Sequence, residues 1–148
     1  MSFMIAAAVL FMIDFIFKGM AEERLSENKR IPICNGKLFL TKFHNKGAFL
    51  GALQNRPELL KGISYGIIVM CTVIYLLTLG KKGKTMLKIG LTCLLGGAYS
   101  NAYDRMKKEY VVDYFGFQSK NKRLSQIVFN LSDFMIAIGA VTAVFAAA

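Results

Sequence analysis

Two similar segments organise the chain. The first is Gly96-Gly97-Ala98-Tyr99-Ser100-Asn101-Ala102-Tyr103-Asp104-Arg105, and the second is Phe129-Asn130-Leu131-Ser132-Asp133. In both segments a carboxylate lies at the edge of a long apolar run. A charged side chain is costly at membrane depth, so an ionisable residue there suggests a functional site. Between the two segments lies Val111-Val112-Asp113-Tyr114, which adds another aspartate. The pattern indicates acid–base chemistry by a pair of aspartates.

The composition favours a membrane protein over a soluble domain. The chain has 148 residues, of which 55% are hydrophobic and 19% charged, and this length allows one domain. Its formal net charge is +10. Because the lysines flank apolar runs, we attribute this charge to membrane topology and anionic lipid head groups. No basic helix or aromatic platform is evident, so we do not expect nucleic acid as a partner.

The metal-binding and disulfide-forming residue types are sparse. Cys34, Cys71 and Cys93 are scattered without a CxxC pair, and His44 is the sole histidine. This pattern predicts neither a disulfide framework nor a zinc site. We expect no metal and no organic cofactor. The start of the chain lacks the basic region of a cleaved signal peptide, so we expect none.

The apolar runs predict a mainly α-helical, polytopic membrane protein with four transmembrane helices. The clearest is the uncharged run from Gly62 to Gly80. The short basic loop after it, with Lys81, Lys82 and Lys84, is typical of a cytoplasmic loop, which puts both termini inside. The four predicted helices cover about 3–20, 58–80, 85–103 and 126–147, and the extracytoplasmic segments about 21–57 and 104–125 of a single domain.

With this topology, four aspartates fall at the outer boundary of the membrane: Asp14, Asp104, Asp113 and Asp133. Asp14 precedes Lys18 by four residues, so the two side chains share a helix face. Each aspartate alone could serve as a cap or a packing ion pair. Because all four are predicted at the same membrane boundary, a functional role for them is favoured over separate structural roles.

The first extracytoplasmic segment carries two further signals. Asn35-Gly36 between short apolar runs predicts a β-hairpin, since both turn residues tolerate positive φ. We expect a small antiparallel sheet on the membrane surface. Asn55 and Pro57 predict a helix start, with Asn55 as the cap and Pro57 in the first turn.

Taken together, the chain resembles lipoprotein signal peptidase (signal peptidase II), a bacterial membrane aspartic protease, over nearly its whole length. The motifs that carry the resemblance lie in the family's order: Asp14 with Lys18, 45–51 (Asn-Lys-Gly-Ala-Phe-Leu-Gly), 96–105, 111–114 and 129–133.

The resemblance implies a role for each matching residue. It makes Asp113 and Asp133 the catalytic pair. Polar or small residues that would bind substrate or brace the pair are Asn45, Gly47, Asn101, Arg105 and Asn130. Asp14, Lys18 and Asp104 become supporting positions.

The sequence also departs from the family pattern. Ser100 and Glu109 stand where Gly is usual, Tyr114 where Phe is usual, and Ser132 where Ala is usual. Phe49-Leu50 replaces Ala-Phe in the first loop motif. None of these changes removes a catalytic group, and they are compatible with either a divergent member or a paralogue with an altered substrate preference.

The implied function is removal of signal peptides from lipid-modified prolipoproteins, with the cut just before a diacylglyceryl-cysteine. The partners would be that substrate and membrane lipids, and we expect a monomer in the bacterial cytoplasmic membrane with its site at the extracytoplasmic face. Membrane-edge carboxylates also serve proton- or cation-coupled transport, which stands as the alternative function. A third hypothesis is a non-catalytic scaffold whose polar clusters only pack helices.

Overall fold

The computed structural model describes residues 2–27, 29–47, 53 and 55–147. In these residues the helices and strands, in chain order, are α1 (Ser2–Arg24), β1 (Ile31–Ile33), β2 (Leu38–Asn45), α2 (Pro57–Leu79), α3 (Thr85–Lys108), β3 (Val111–Phe117), α4 (Lys122–Ser125), β4 (Val128–Phe129) and α5 (Leu131–Ala147). The mainly helical prediction with a small antiparallel sheet is confirmed.

The long helices differ in how apolar they are. Within the described residues, α1 and α2 are long and apolar enough to cross a membrane, while α5 is apolar but shorter. Large apolar side chains face outward on these helices, such as Leu77 at 66% and Phe145 at 79% exposure. A soluble protein rarely exposes apolar surface on this scale, whereas lipid covers it without cost.

Several element bounds differ from the predicted ones. α1 continues to Arg24, beyond the predicted end near residue 20, so Glu22 and Glu23 are helical. α3 continues to Lys108, and the short helix α4 was not predicted. α5 begins only at Leu131, because the residues before it pair with β3 as strand β4. The cap prediction for α2 was wrong, since Arg56 precedes Pro57 at that end without a side-chain cap bond.

Glycines let α3 pack closely against its neighbours, as the small residues of 96–100 predict. A Cβ on Gly97 would lie 2.6 Å from the Ser132 carbonyl oxygen of α5, and one on Gly96 would lie 2.9 Å from Leu10 Cβ of α1. Gly90 makes a similar approach to Ala143 further along α5. Small residues at helix crossings are the usual route to close packing in lipid. α3 therefore positions both α1 and α5.

We expect Gly97→Ala to lower the free energy of unfolding by about 1–3 kcal/mol, because the added methyl group pushes the start of α5 away from α3. Unfolding in detergent, followed by heat or denaturant, measures the loss. Gly66→Ala in α2 is the matched control, since among the described residues no atom beyond the adjacent residues and backbone of its own helix lies within 4 Å of its Cβ position. Equal stability of the two variants would show that this crossing tolerates a wider spacing.

The sheet has the order β1-β2-β3-β4, with every pair antiparallel. The predicted hairpin joins β1 to β2, and Asn35 and Gly36 take φ values of 55° and 76°. Cys34 also has a positive φ of 51°, which the sequence did not predict. At its far end β2 pairs Asn45 with Val111 of β3. This register sets Asn45 diagonal to Asp113 on one face of the sheet.

Glu109 ends α3 in the left-handed conformation, with φ 67°. A glycine adopts this conformation without strain, whereas a side chain raises its free energy by about 1–2 kcal/mol. We therefore expect Glu109→Gly to raise the stability by about 1 kcal/mol, read from the shift in unfolding midpoint. An unchanged or lower midpoint would mean that the Glu109 side chain contributes contacts that offset its backbone.

Candidate active site

Asn130 links the two aspartates of the predicted catalytic pair. Its side-chain amide donates to Asp113 Oδ1 at 2.6 Å, and its backbone N–H donates to Asp133 Oδ2 at 3.0 Å. In return, Asn130 Oδ1 accepts a hydrogen bond from the Asp133 backbone N–H at 3.0 Å. This reciprocal pair is a capping box at the start of α5. Asn130, which caps the start of α5, thus also connects Asp133 to β3, the strand that contains Asp113.

Two further asparagines hold the remaining carboxylate oxygens. Asn45 Nδ2 donates to Asp113 Oδ2 at 2.9 Å, and Asn101 Nδ2 donates to Asp133 Oδ1 at 3.1 Å. Asn45 Oδ1 in turn accepts the Gly47 backbone N–H. Within the part of the chain that the structure describes, each oxygen of both carboxylates therefore accepts one hydrogen bond, and its second lone pair can accept a proton or a hydrogen bond from water.

The pair opens onto a cavity of 230 Å³ between α3, α5 and the sheet. The wall combines polar side chains with apolar ones. It is lined by Asn45, Asn101, Arg105, Val111, Asp113, Ile127, Val128, Phe129, Asp133, Ile136 and Ala137. Such a mixture is typical of sites that orient a bound group by a few polar contacts.

Arg105 spans the cavity wall between α3 and the first loop motif. Its Nη2 donates to the Gly47 carbonyl oxygen at 3.2 Å. Its Nε is buried and has no hydrogen-bond partner among the described residues. A buried donor of this kind is a ready partner for a carbonyl oxygen of a ligand. The rest of the motif, 48–51 with the Phe49-Leu50 departure, lies outside the described residues.

Asp14, Lys18 and Asp104 form a buried ion cluster beside the pair. Lys18 Nζ lies 2.9 Å from Asp14 Oδ2 and 3.2 Å from Asp104 Oδ2, and the three side chains are at most 1% exposed. Asp104 also accepts the Val112 backbone N–H at 3.3 Å, which connects the cluster to β3. Buried charges are tolerated only when they are paired in this way.

Asn101 connects the ion cluster to the predicted catalytic pair. Its Oδ1 accepts a hydrogen bond from Lys18 Nζ at 2.7 Å. Because the ammonium group can only donate, Asn101 must turn its NH₂ group toward Asp133. Lys18 thereby fixes the orientation of an amide that touches the pair.

Asp113 lies on β3, outside the long helices, and its surroundings disfavour its charge. Burial, then the nearby charge of Asp133, raises the pKa of Asp113 from 3.8 to about 7. Hydrogen bonds from Asn45 and Asn130 oppose that rise. Two carboxylates that face each other resist joint ionisation, so the pair is suited to hold one shared proton near neutral pH.

This shift predicts a pH-dependent stability. Since the folded state raises the pKa of Asp113, it binds this proton more tightly than the unfolded chain does. The stabilisation is complete below about pH 4 and is lost as the pH rises through about 7. We expect the difference in Tm between the wild type and Asp113→Asn to decrease as the pH rises from about 4 to about 7, and to stay constant above that pH. A difference that stays constant or grows with pH would contradict a raised pKa.

The structure brings together most of what the sequence predicted. Asp113 and Asp133 share one cavity with Asn45, Asn101 and Arg105, while Asp14 and Asp104 meet on Lys18 instead. Sequence reasoning missed the hydroxyl groups of Ser100, Tyr114 and Ser132, which all bond to Asp14. It also missed the capping box, although Asn130 and Asp133 have its spacing. No group of three or more potential metal ligands occurs among the described residues.

Comparisons with known proteins place the chain in a family. The family model for signal peptidase (SPase) II matches residues 6–148. A lipoprotein signal peptidase of Moorella thermoacetica is 30% identical over 143 residues, which cover 95% of this chain and 89% of the relative. One of Halothermothrix orenii is 33% identical over 136 residues, or 92% of this chain and 88% of the relative.

A solved structure has the same fold. A bacterial membrane enzyme determined by the in meso method superposes with a TM-score of 0.81 at 18% identity, and the match covers 99% of this chain and 87% of the other. The match of the family model to nearly the whole chain, together with relatives of similar length, shows that this chain belongs to the signal peptidase II family of membrane peptidases.

Proposed function

We propose that this protein removes signal peptides from lipid-modified prolipoproteins as an aspartic endopeptidase, with Asp113 and Asp133 as its catalytic residues. The main support for aspartic chemistry is that Asn130 donates hydrogen bonds to both carboxylates, and that these carboxylates line one cavity. The lipoprotein signal peptidases to which the chain is similar support the substrate class.

The proposed mechanism uses the shared proton. The ionised carboxylate accepts a proton from a water molecule, whose oxygen attacks the scissile carbonyl carbon. The protonated carboxyl group donates its proton to the carbonyl oxygen as the tetrahedral intermediate forms. Collapse of the intermediate breaks the C–N bond, and the carboxyl group that took the water proton delivers it to the leaving nitrogen. At the same time a hydroxyl group of the intermediate returns a proton to the other carboxylate, which restores the shared proton and leaves a carboxylic acid product.

Asn45, Asn101 and Arg105 complete the site in this mechanism. The two asparagines orient the carboxylates, so little reorganisation is needed when charge moves between them. Arg105 Nε, which bonds to none of the described residues, is suited to donate to a carbonyl oxygen of the substrate backbone. Together these contacts hold the scissile bond near the pair, which is a large part of what a hydrolase contributes to rate.

The proposed membrane arrangement has α1, α2, α3 and α5 as four crossings in the bacterial cytoplasmic membrane, with both termini in the cytoplasm. The sheet and the catalytic pair then lie at the extracytoplasmic face. The exposed apolar faces of α1, α2 and α5 support this arrangement, as does the basic loop between α2 and α3, which favours the cytoplasmic side. A substrate could keep its lipid in the bilayer while its peptide enters the cavity.

Complementation tests the proposal in cells. We expect the gene to restore prolipoprotein processing in a bacterium depleted of its own lipoprotein signal peptidase, with loss of the accumulated lipidated precursor on gels. Persistence of the precursor, with the protein present in the membrane, would count against the function. Flux measurements in proteoliposomes under a proton gradient would then test the transport alternative.

A further inference from the structure

Three hydroxyl groups from three different elements converge on the buried carboxylate of Asp14. Ser100 of α3 and Ser132 of α5 donate to Oδ2 at 2.6 Å and 2.5 Å. Tyr114 of β3 donates to Oδ1 at 3.4 Å. These are three of the positions at which the sequence departs from the pattern that it resembles, where Gly, Ala and Phe carry no hydroxyl group. The three residues that depart from the pattern therefore all bond to one group, the carboxylate of Asp14.

Asp14 also accepts two other hydrogen bonds. Lys18 Nζ lies 2.9 Å from Oδ2, and the Ser132 backbone N–H donates to Oδ1 at 3.2 Å. Asp14 is fully buried. A carboxylate with this many donors is held in one position, because any movement leaves a buried polar group without a partner.

The same contacts satisfy the start of α5. The first N–H groups of a helix have no partner within the helix. Here the Leu131 N–H donates to the Tyr114 hydroxyl oxygen at 3.0 Å, the Ser132 N–H to Asp14, and the Asp133 N–H to Asn130. The position of α5 is thus set from β3 through Tyr114 and from α1 through Asp14.

Tyr114 is well placed to control the separation of the two catalytic carboxylates. Two adjacent residues of β3 bridge to two adjacent residues at the start of α5: Asp113 to Asn130 and Tyr114 to Leu131. If the second bridge is lost, the helix end can tilt about the first. Since Asp133 lies in that first turn, its distance from Asp113 would change.

We propose that the hydroxyl groups of Ser100, Tyr114 and Ser132 act together through Asp14 as positioning groups, which hold the first turn of α5 and thereby set the spacing of Asp113 and Asp133. The inference rests on the proposed function, because it assigns these groups to the same catalytic pair. None of the three touches the reacting atoms. Their effect on turnover is transmitted by the position of α5.

Tyr114→Phe tests the proposal by removing one hydroxyl group. We expect kcat to fall at least tenfold with KM within twofold of wild type, since misplacement of reacting groups costs rate more than binding. The alkaline limb of the pH profile of kcat/KM should also move, because the coupling between the carboxylates depends on their distance.

Tyr75→Phe is the matched control. Tyr75 is 4% exposed, and its hydroxyl group bonds to Thr92 at 2.9 Å, in the α2–α3 contact. This variant also loses a buried hydroxyl bond, so its stability should fall similarly while kcat and the pH profile stay unchanged. If Tyr114→Phe lowers stability but leaves kcat and the pH profile as in Tyr75→Phe, the proposal is overturned.

Ser132→Ala provides a second route if Tyr114→Phe does not fold. It should lower kcat in the same way, and the double variant should lose less than the product of the single losses, because both groups act on Asp14. Independent, multiplicative losses would contradict a shared unit.

Failure of the proposed function is distinguishable. If the wild type cleaves no prolipoprotein, the pH dependence of its thermal unfolding still reports the titration of Asp113. If the pH midpoint of this titration is displaced in Tyr114→Phe but not in Tyr75→Phe, the positioning role is supported. If the pH midpoint is the same in both variants as in the wild type, the positioning role is overturned.

Discussion

Replacing either Asp113 or Asp133 with asparagine is expected to lower the rate of prolipoprotein cleavage by about a thousandfold or more. An amide can neither take a proton from water nor donate one to the leaving nitrogen, and acid–base groups of this kind contribute about 10²–10⁴ in rate. Because each carboxylate makes its bonds within one network, the loss should be similar for the two variants. Initial rates with purified protein in lipid measure it.

The control for this prediction is Glu58→Gln, which neutralises an exposed carboxylate paired with Lys61 on the same helix. It should cleave at the wild-type rate. Both asparagine variants must also unfold cooperatively, which shows that the fold survives. Cleavage that persists within tenfold in either variant would rule out that aspartate as a catalytic group.

Lys18→Met is expected to give the largest loss of stability, about 3–5 kcal/mol. Removing the ammonium group leaves the buried Asp14 without the lysine it pairs with, and leaves Asp104 to Lys108, 3.2 Å from its Oδ1. An uncompensated buried charge such as that of Asp14 is the costly outcome. Denaturant or thermal unfolding in detergent measures the effect. Lys61→Met should leave stability close to that of the wild type, because its partner Glu58 is 85% exposed and water screens the pair.

A combined variant separates charge from packing. Lys18→Met together with Asp14→Asn and Asp104→Asn removes all three charges, so it should be more stable than Lys18→Met alone. If the single variant unfolds like the wild type, the cluster is not held by its charges. If the combined variant is the less stable of the two, the hydrogen bonds of the carboxylates matter more than the buried charge.

The sequence predicted those parts of the fold that local chemistry determines. Asn35 and Gly36 specify a turn because few other residues accept a positive φ, and the uncharged run after Gly62 specifies a helix. The start of α5 was misplaced for a tertiary reason: Val128 and Phe129 are apolar enough to extend the helix, but they pair with β3 instead. Pairing with a distant strand leaves no mark in a short window of sequence.

For the candidate site, too, the sequence predicted what local chemistry determines and missed what depends on contacts between distant segments. The aspartates were found because a charge at the edge of an apolar run is unusual. The division into a catalytic pair and an ion cluster depends on distances between α1, α3 and α5, which spacing alone cannot supply. Ser100, Tyr114 and Ser132 were noticed only as departures, since a hydroxyl group carries no charge and its partner Asp14 is distant in the chain.

The most direct test of the account is to map the cut made by the purified wild type in lipid, with a diacylglyceryl-modified prolipoprotein and its unmodified form side by side. Mass spectrometry of the products should show one cut, immediately before the modified cysteine, in the lipidated substrate only. No cut in the lipidated precursor, or equal cleavage of both forms at another bond, would contradict the account.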